Sequence, residues 1–486
     1  MMKGKGGVQR MMYLLLITGA VSINSNCKKG SGGNGGDPPD PVATTITLEN
    51  WVTRGDQTAL IEKQSNLVSG TVTAGMPTID VDSASKFQTM DGFGFALTGS
   101  SAYVINKLPA PQKASLLQEL FGTAANSISV SYLRISIGAS DLSPEVFSYN
   151  DLPTGQTDPT LAQFSLSKDT VDLIPLLKEI LLINPSIKIM ASPWSAPVWM
   201  KDNGSSIGGS LQTQYYSVYA QYFVKYLQAM KAKGITIDAI TVQNEPQHGG
   251  NNPSMVMSAG QQGDFVKNHL GPAFQAAGVT AKIIIWDHNC DNPNYPITIL
   301  SDPAAKAYID GSAFHLYGGD ISALSTVKNA HPDKNLYFTE QWTGANGSFS
   351  GDLQWHVKNV VVGSARNHAK AIIEWNLASD PNYDPHTPGG CSECKGAITA
   401  TTTNYTRNVS YYIIAHASKF VPMGSVRIGS NDAGGIFSAA FVRPDGKKVL
   451  VAVNDNASTT TFVIKYKGST VQATLTKGAV GTYVWN

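Results

Sequence analysis

Short apolar runs alternate with longer amphipathic segments through most of the chain, from about residue 87 to residue 422. The short runs predict strands, and the longer segments, such as VDLIPLLKEILL from Val171, predict helices. The predicted strands begin at Phe87, Val130, Ile187, Ile237, Ala281, Ile309, Asn335 and Ala371. Strands that alternate with helices form parallel sheets. Eight such units predict an α/β fold, a (β/α)8 or TIM barrel, rather than an open doubly wound sheet.

Two further segments, residues 43–86 and residues 423–486, alternate polar and apolar positions and carry turn signals. The clearest turn, RPDGKK, lies between the apolar runs IFSAAFV and VLVAVN. Both segments therefore predict antiparallel strands. Because they precede and follow the barrel, we expect them to form one side β-sandwich built from the N-terminal and C-terminal segments.

The start of the chain has the layout of a secretory signal. Basic residues occur at Lys3, Lys5 and Arg10. An apolar run from Met11 to Val21 follows, and small polar residues then lead to Cys27. We expect residues 1–27 to be a signal peptide of bacterial lipoprotein type with lipidation at Cys27, and residues 28–42 to be a flexible linker. Bare secretion and an N-terminal helix of the fold are the alternatives.

This leader predicts an exported protein, anchored in the bacterial envelope or at the cell surface, and otherwise periplasmic or secreted. We expect it to meet a membrane only through the lipid. The formal net charge is +1 over 486 residues. A balance this close to neutral argues against a nucleic-acid partner.

Three cysteines follow Cys27, namely Cys290, Cys391 and Cys394. The last two share the run GGCSECKG. A structural zinc site needs four ligands, and the sequence has no second cysteine pair. A small loop disulfide between Cys391 and Cys394 is therefore favoured over a metal, with a reduced pair as the alternative.

Residues able to do chemistry cluster where the predicted strands end, the face on which barrel enzymes carry their active sites. They are Arg134, Asp141, Trp194, Asn244, Glu245, Asp287, His288, His315, Tyr317, Glu340, Trp375 and Asn376. Glycoside hydrolysis needs two carboxyl groups, one that protonates the leaving oxygen and one that attacks the anomeric carbon or activates water. Glu245 and Glu340 end the fourth and seventh strands, on opposite sides of the barrel mouth. The pair predicts a glycoside hydrolase that holds its substrate between them.

Two other carboxyl groups, those of Glu374 and Asp287, compete for the role of nucleophile. Alternation along a strand puts Glu374 and Trp375 on opposite faces, so if Trp375 lines the pocket Glu374 points away from it. Glu374 is therefore predicted to be a structural partner. Asp287 and His288 are expected to shape the network around the acid.

The neighbours of the pair suggest how it works. Asn244 is expected to bond a sugar hydroxyl beside the reacting carbon, an interaction that strengthens in the transition state. The charge of Glu340 is expected to raise the pKa of Glu245 and keep that acid protonated at neutral pH.

Aromatic residues near the strand ends can stack on the apolar faces of pyranose rings. The candidates are Trp194, Trp199, Tyr317, Trp342 and Trp375. Their positions favour Trp194, Tyr317 and Trp375 as pocket residues, with core packing as the alternative. His315 with His288 could suggest a metal, but the early-strand ligands of such a site are missing, so His315 is predicted to be structural or sugar-binding. We expect no metal and no cofactor.

Seven ordered motifs resemble those of glycoside hydrolase family 30, which includes glucosylceramidases and endo-β-1,6-glucanases. They are MDGFGFALTGSSA from Met90, YLRISIGASDLS from Tyr132, ASPWSAPVWMK from Ala191, TVQNEP from Thr241, FHLYG from Phe314, LYFTEQW from Leu336 and IEWNLA from Ile373. The resemblance implies a barrel with a side β-sandwich, Glu245 as acid/base and Glu340 as nucleophile. It also implies a set of glycone-pocket residues, namely Arg134, Asp141, Trp194, Asn244, Tyr317 and Trp375.

One departure from the family pattern suggests a substrate. Family members commonly carry Asp after the Thr of the first-strand motif, and this chain has Gly99 after Thr98. This change and the GGCSECKG loop resemble the bacterial β-1,6-glucanase-like branch. We therefore expect a retaining glucan endo-1,6-β-glucosidase, with a glucosylceramidase-like β-glucosidase as the alternative. A hypothesis of another class is an inactive surface glycan-binding lipoprotein.

Overall fold

The computed structural model describes residues 45–486. The predicted signal peptide with Cys27 and the predicted linker lie outside the described residues. None of the helices in residues 45–486 is long and apolar enough to cross a membrane.

Within these residues, eight parallel strands close into a barrel. In chain order, strands one to eight are Gly92–Ala96, Tyr132–Ser136, Lys188–Ser192, Ala239–Thr241, Lys282–Cys290, Ile309–Gly319, Asn335–Glu340 and Ala369–Asn376. They follow the order of the eight predicted strands, with one difference. Strand one begins at Gly92 because residues 87–89 belong to a sheet strand, Thr78–Thr89, which crosses the predicted boundary at residue 86. Strand one also packs closely on strand two, since a Cβ at Gly94 would lie 1.8 Å from the backbone oxygen of Tyr132.

Helices connect the strands. Their bounds are Gly99–Asn106, Ala110–Phe121, Leu173–Ile183, Tyr216–Ala232, Ala259–Phe265 with Val266–Leu270 and Gly271–Ala276, Asn294–Leu300, Pro303–Lys306, Ala323–Ala330, Phe349–His356 with Val357–Val362 and Gly363–Arg366, and Val409–Ser418. The segments Val266–Leu270 and Val357–Val362 are π-helical. Each interrupts the helix that follows a strand bearing one of the two glutamates, and such π segments are frequent near functional sites.

Both ends of the described chain contribute to a second sheet. In spatial order its nine strands are Glu62–Val68, Thr47–Thr53, Val480–Trp485, Lys448–Asn454, Ile436–Val442, Val426–Ser430, Thr78–Thr89, Thr460–Tyr466 and Ser469–Leu475. The sheet curls until its two edges meet, where the Gly70 N–H donates to the carbonyl of Thr470 at 3.0 Å. Buried residues such as Leu48, Leu450 and Phe462 fill the space between the two layers. This is the predicted sandwich.

The barrel interior has an apolar layer below a polar one. The apolar side chains are Tyr132, Met190, Ala239, Ile284, Ala313, Tyr337, Ala371 and Ile373. Two residues further along six of these strands stand Arg134, Ser192, Thr241, His315, Thr339 and Trp375. Because side chains alternate along a strand, these residues face the same interior, nearer the carboxyl ends. The polar layer therefore stands on an apolar base.

Candidate active site

Glu245 stands in the turn that follows strand four. Its φ of +44° lies in the left-handed region, which residues other than glycine adopt mainly where the surrounding structure enforces it. The Glu245 N–H donates to the carbonyl of Asp287 (3.0 Å), and its own carbonyl accepts from His248 (2.8 Å). These bonds hold the turn, and the side chain, 11% exposed, reaches the Nδ1 of His315 at 3.2 Å.

Glu340 is the last residue of strand seven. The strand pairing is irregular just before it, and Thr339 as well as Glu340 faces the interior, where the Thr339 hydroxyl donates to Asp287 at 2.7 Å. Arg134 Nη1 donates to Glu340 Oε2 at 2.6 Å, and the Tyr317 hydroxyl donates to Oε1 at 3.0 Å. Two donors from different strands thus fix the carboxylate.

The two carboxyl groups are close together. One oxygen of Glu245, one oxygen of Glu340 and one ring nitrogen of His315 all lie within 4.8 Å of one another. Glycosidases that retain the anomeric configuration hold their carboxyl groups about 5 Å apart, whereas inverting ones leave about 6.5–9.5 Å for a water molecule. The spacing in this site favours retention.

Asp287 lies below the pair and joins its two cationic neighbours. Its Oδ2 accepts from Arg134 Nη2 at 2.7 Å, and its Oδ1 lies 3.2 Å from His315 Nε2. Trp286 and Asp287 have positive φ values of 71° and 62°, and the pairing of strand five shifts there. This bulge lets Asp287 face the interior while His288, the next residue, lines the cavity above.

Charges inside the cluster set its pKa values. Burial lowers the pKa of His315, but the charge of Glu340 and the hydrogen bonds to Asp287 and Glu245 raise it to about 9. Burial raises the pKa of Glu245, yet the hydrogen bond and charge of His315 lower it overall. Burial raises the pKa of Glu340 against the opposing charges of His315 and Arg134. The expectation of a raised pKa for Glu245 is therefore wrong for the free protein, because the hydrogen bond and charge of His315 outweigh the effect of burial.

Glu245, His315 and Glu340 are also the group in residues 45–486 with donor atoms close enough to hold a metal ion. However, His315 already places both ring nitrogens against carboxylates, and the guanidinium of Arg134 occupies Glu340. A metal ion there would face two other cations within a few ångströms. The donor set suits proton transfer and nucleophilic attack better than metal binding.

A cavity of about 380 Å³ opens above the cluster. Its lining consists of Asp141, Trp194, Glu245, His248, Asn251, His288, Asn289, Tyr317, Glu340, Trp342, Trp375, Cys391 and Cys394. At its buried end the rings of Trp194 and Trp375 lie 5.5 Å apart, with planes inclined at 30°. The Arg134 guanidinium lies 4.9 Å from the centre of the Trp194 ring, a cation–π contact that orients both groups. Aromatic walls with a few converging polar groups are typical of sugar-sized sites.

Four predicted sugar-binding residues, Asp141, Trp194, Tyr317 and Trp375, line the cavity. Arg134 and His315 do not, because both are 0% exposed and lie below the cavity. Asn244 is 4% exposed and accepts from Arg134 Nη2 at 2.7 Å. The burial of Arg134 argues against the prediction that it contacts the sugar, and of the two alternatives for His315 the structure supports the structural one, since both residues contact the glutamates from below.

Asp141 connects the cavity to the loop after strand eight. Its buried carboxylate accepts the N–H of Cys391, and its carbonyl accepts the N–H of Thr387 at 2.9 Å. Burial raises the pKa of Asp141 to about 7, with the charges of Glu340 and Glu245 adding to the rise. In the structure a disulfide joins Cys391 to Cys394.

Two candidate residues lie away from the cavity. Glu374 points outward from strand eight, as alternation predicts, and its Oε1 bonds His356 Nδ1 at 2.8 Å. Trp199 donates from its indole nitrogen to Asn150 at 2.9 Å. Neither side chain can contact a substrate between the two glutamates.

The sequence analysis did not assign His248, Asn251 or Asn289 to the cavity, yet all three line it. Trp342 also lines it. The sequence analysis named Trp342 as a stacking candidate but favoured three other aromatic residues, although alternation two residues after Glu340 returns Trp342 to the same side. The other three lie in or beside loops whose paths no periodic pattern specifies.

Comparison with known families gives two matches. The model of the glycosyl hydrolase family 30 TIM-barrel domain matches residues 90–421, and that of the family 30 β-sandwich domain matches residues 424–483. The chain belongs to glycoside hydrolase family 30. As a family 30 glycosidase, it carries the barrel and the sandwich in the order that the sequence predicts.

Relatives of this family 30 chain include endo-1,6-β-glucanases and glucosylceramidases. An endo-1,6-β-D-glucanase from Neurospora crassa is 36% identical over 472 residues, covering 92% of this chain and 96% of its own length. The lysosomal acid glucosylceramidase of Mus musculus is 29% identical over 427 residues, 82% of each chain. Among solved structures, the endo-β1,6-glucanase BT3312 has a TM-score of 0.83 at 36% identity, covering 90% of this chain and 99% of that one.

Proposed function

We propose that the chain is a retaining endo-β-1,6-glucanase in which Glu340 is the nucleophile and Glu245 is the acid/base. The observation that carries the mechanism is the pair of buried carboxyl groups with oxygens within 4.8 Å at the end of an aromatic-lined cavity. That geometry leaves no room for a water between nucleophile and sugar, so attack by the carboxylate itself is favoured. It also disfavours the inactive glycan-binding alternative, since mere binding does not need two facing acids.

In the first step, Glu340 attacks the anomeric carbon and the bond to the leaving oxygen breaks as Glu245 gives that oxygen a proton. Arg134 and Tyr317 hold the attacking carboxylate in place. In the second step, Glu245 takes a proton from water, the water oxygen attacks the anomeric carbon, and Glu340 departs as a carboxylate. Two inversions give net retention.

The proton used by Glu245 is shared with His315. The ring nitrogen Nδ1 of His315 lies 3.2 Å from Glu245 Oε1, and the pKa of His315 is raised to about 9. Such closely coupled groups titrate together, so the free protein holds this proton mainly on His315. As the leaving oxygen approaches Glu245 and displaces water, the carboxylate becomes harder to keep charged, and the proton moves toward it.

The substrate proposal rests on similarity and on one residue. The relatives that match at 36% identity are described as endo-1,6-β-glucanases. Gly99 agrees with this branch. A Cβ at this position would lie 3.0 Å from Ser143 Oγ, so a larger residue would require the Ser143 side chain to shift. A glucosylceramide-type β-glucoside is the second candidate, supported by the glucosylceramidase relatives.

A panel of β-linked substrates tests this function. We expect the protein to cleave gentio-oligosaccharides, the β-1,6-linked series, faster than the β-1,3 and β-1,4 series and faster than glucosylceramide in detergent. An end-labelled gentiohexaose should give internal fragments early, as endo cleavage requires. Preference for glucosylceramide would select the second candidate. No cleavage of any of them, with binding of gentio-oligosaccharides retained, would support the inactive glycan-binding alternative.

We further propose that the protein is exported and anchored through lipid on Cys27, on the basis of the leader described above. In cells, Cys27→Ala should move the protein from the membrane fraction to the soluble fraction. A wild-type protein found wholly in the soluble fraction would contradict the anchor.

A further inference from the structure

The position of the acid determines where the leaving group must lie. Glu245 can protonate the leaving oxygen only at hydrogen-bond distance, so the sugar that carries this oxygen lies beside Glu245. His248 follows Glu245 in the same turn, and His288 stands at the end of strand five. Both line the cavity and lie close enough to Glu245 to influence its pKa when protonated. One wall of the leaving-group subsite is therefore made of these two imidazoles.

His288 in this wall lacks a hydrogen-bond partner in the free protein. Its Nδ1 is buried without a partner within residues 45–486, and no other described residue bonds its ring. Burial lowers the pKa of His288 to about 4, so the ring is neutral at neutral pH. The buried Nδ1 edge is out of reach of a ligand, so a sugar hydroxyl can meet only the edge of the ring that lines the cavity, where Nε2 of the neutral ring can donate or accept a hydrogen bond.

The same cavity also has Trp342 in its lining. This residue is half-buried and packs against the cluster that contains Trp375 and Cys394. Its chain is fixed just beyond the ring, because Thr343–Gly344 pairs with Cys394–Lys395 in a short antiparallel sheet. One side of the indole is therefore held by the protein, and the rest of its surface borders the cavity.

We propose that Trp342 is the stacking platform for the glucosyl unit of the leaving group, and that His288 is a hydrogen-bond partner of that unit. This inference rests on the proposed function and adds a subsite to it. In a β-1,6 linkage the leaving oxygen is O6, which a methylene group separates from the pyranose ring. The ring therefore lies away from Glu245, where an aromatic face in the cavity lining can cover its apolar side.

Two substrates distinguish a defect in the leaving-group subsite from a defect in the rest of the active site. Gentiobiose fills both subsites, whereas β-glucosyl fluoride has a leaving group without a ring and needs no protonation. Trp342→Ala should lower kcat/KM for gentiobiose about 10- to 100-fold, mainly through KM, and change that for β-glucosyl fluoride less than about threefold. Trp342→Phe should retain most of the activity on gentiobiose. His288→Asn should lower gentiobiose kcat/KM by about 2- to 10-fold.

Trp355→Ala is the matched control, because Trp355 is 41% exposed on the helix Phe349–His356 and does not line the cavity. Equal losses on gentiobiose and β-glucosyl fluoride in Trp342→Ala would overturn the subsite while leaving the proposed function intact. A wild type that cleaves β-glucosyl fluoride but no gentio-oligosaccharide would instead overturn the β-1,6 substrate. If the substrate proves to be another β-linked disaccharide, Trp342→Ala should be tested on that one. A kcat/KM equal to that of the wild type would then overturn the role of Trp342 as the stacking platform.

Discussion

The substitution Asp141→Asn should have two effects: the protein should be more stable than the wild type at alkaline pH, and it should be less active. The fold raises the pKa of Asp141 from its ordinary 3.8 to about 7, first through burial and then through the charges of Glu340 and Glu245. Between pH 4 and pH 7 the folded state therefore keeps a proton that the unfolded state releases. Stability falls as pH rises through this window and stays low above it. Asparagine has no proton to lose and can still accept the N–H of Cys391.

The size of the effect follows from the same pKa. A rise from 3.8 to about 7 corresponds to at most ~4 kcal/mol, and we expect roughly half of it after local relaxation. Asp141→Asn should thus gain about 2 kcal/mol at pH 8, or a Tm higher by about 2–4 °C, and almost nothing at pH 4. Because a charged acceptor is lost from the sugar site, kcat/KM for β-glucosyl fluoride should fall about 10- to 100-fold.

The assay is thermal unfolding at pH 4 and pH 8 together with steady-state kinetics. Asp169→Asn is the matched control: Asp169 is also buried with a pKa raised to about 7, but it lies outside the cavity and accepts from Tyr149. The control should show a stability gain of the same sign with unchanged kcat/KM. The reasoning is refuted if Asp141→Asn is no more stabilised at pH 8 than at pH 4, or if it hydrolyses β-glucosyl fluoride normally.

Three other substitutions test separate parts of the site. Glu374→Gln should keep kcat within about twofold. It should lower the free energy of unfolding by about 1–3 kcal/mol, since it weakens the buried hydrogen bond to His356. Loss of turnover with intact folding would make Glu374 the nucleophile. His315→Gln removes the group that holds the shared proton, whose pKa is raised to about 9. The alkaline limb of the kcat/KM profile should therefore move down by about one pH unit, because Glu245 must then hold its proton alone. An unchanged or upward-shifted limb would contradict the network. Replacing Cys391 and Cys394 by serine should raise KM severalfold. It should change Tm by under about 2 °C, because a disulfide that closes a short loop gives little chain-entropy stabilisation. Two free thiols in the freshly isolated wild-type protein would rule out the disulfide itself.

The architecture could be predicted from sequence because periodic patterns specify it. Eight apolar runs separated by helical segments give the barrel, and alternation correctly sends Glu374 outward. The order of the strands was enough to predict that the two glutamates lie at the ends of strands four and seven. Within residues 45–486, the predicted boundary at residue 86 was misplaced, since the strand Thr78–Thr89 runs without a break in pattern into the motif that opens the barrel.

The electrostatics of the site could not be predicted in this way. Strict alternation would place Asp287 and His288 on opposite faces, and only the bulge with two positive φ values brings both to the site. Nor does any pattern show that His315 bonds Glu245 and Asp287 at once. That double contact reverses the expected pKa of Glu245, and it depends on three strands meeting in space.

The central claim is the division of labour between Glu245 and Glu340, and the product that azide forms tests it most directly. Glu245→Ala should still react with 2,4-dinitrophenyl β-glucoside, whose leaving group needs no proton, and then stall as the glycosyl-Glu340 intermediate. Azide needs no base and should enter from the face that Glu245 has vacated. The account predicts β-glucosyl azide, identified by the coupling of its anomeric proton, and no turnover in Glu340→Ala. Formation of α-glucosyl azide by Glu245→Ala would contradict it, because azide would then have replaced the nucleophile.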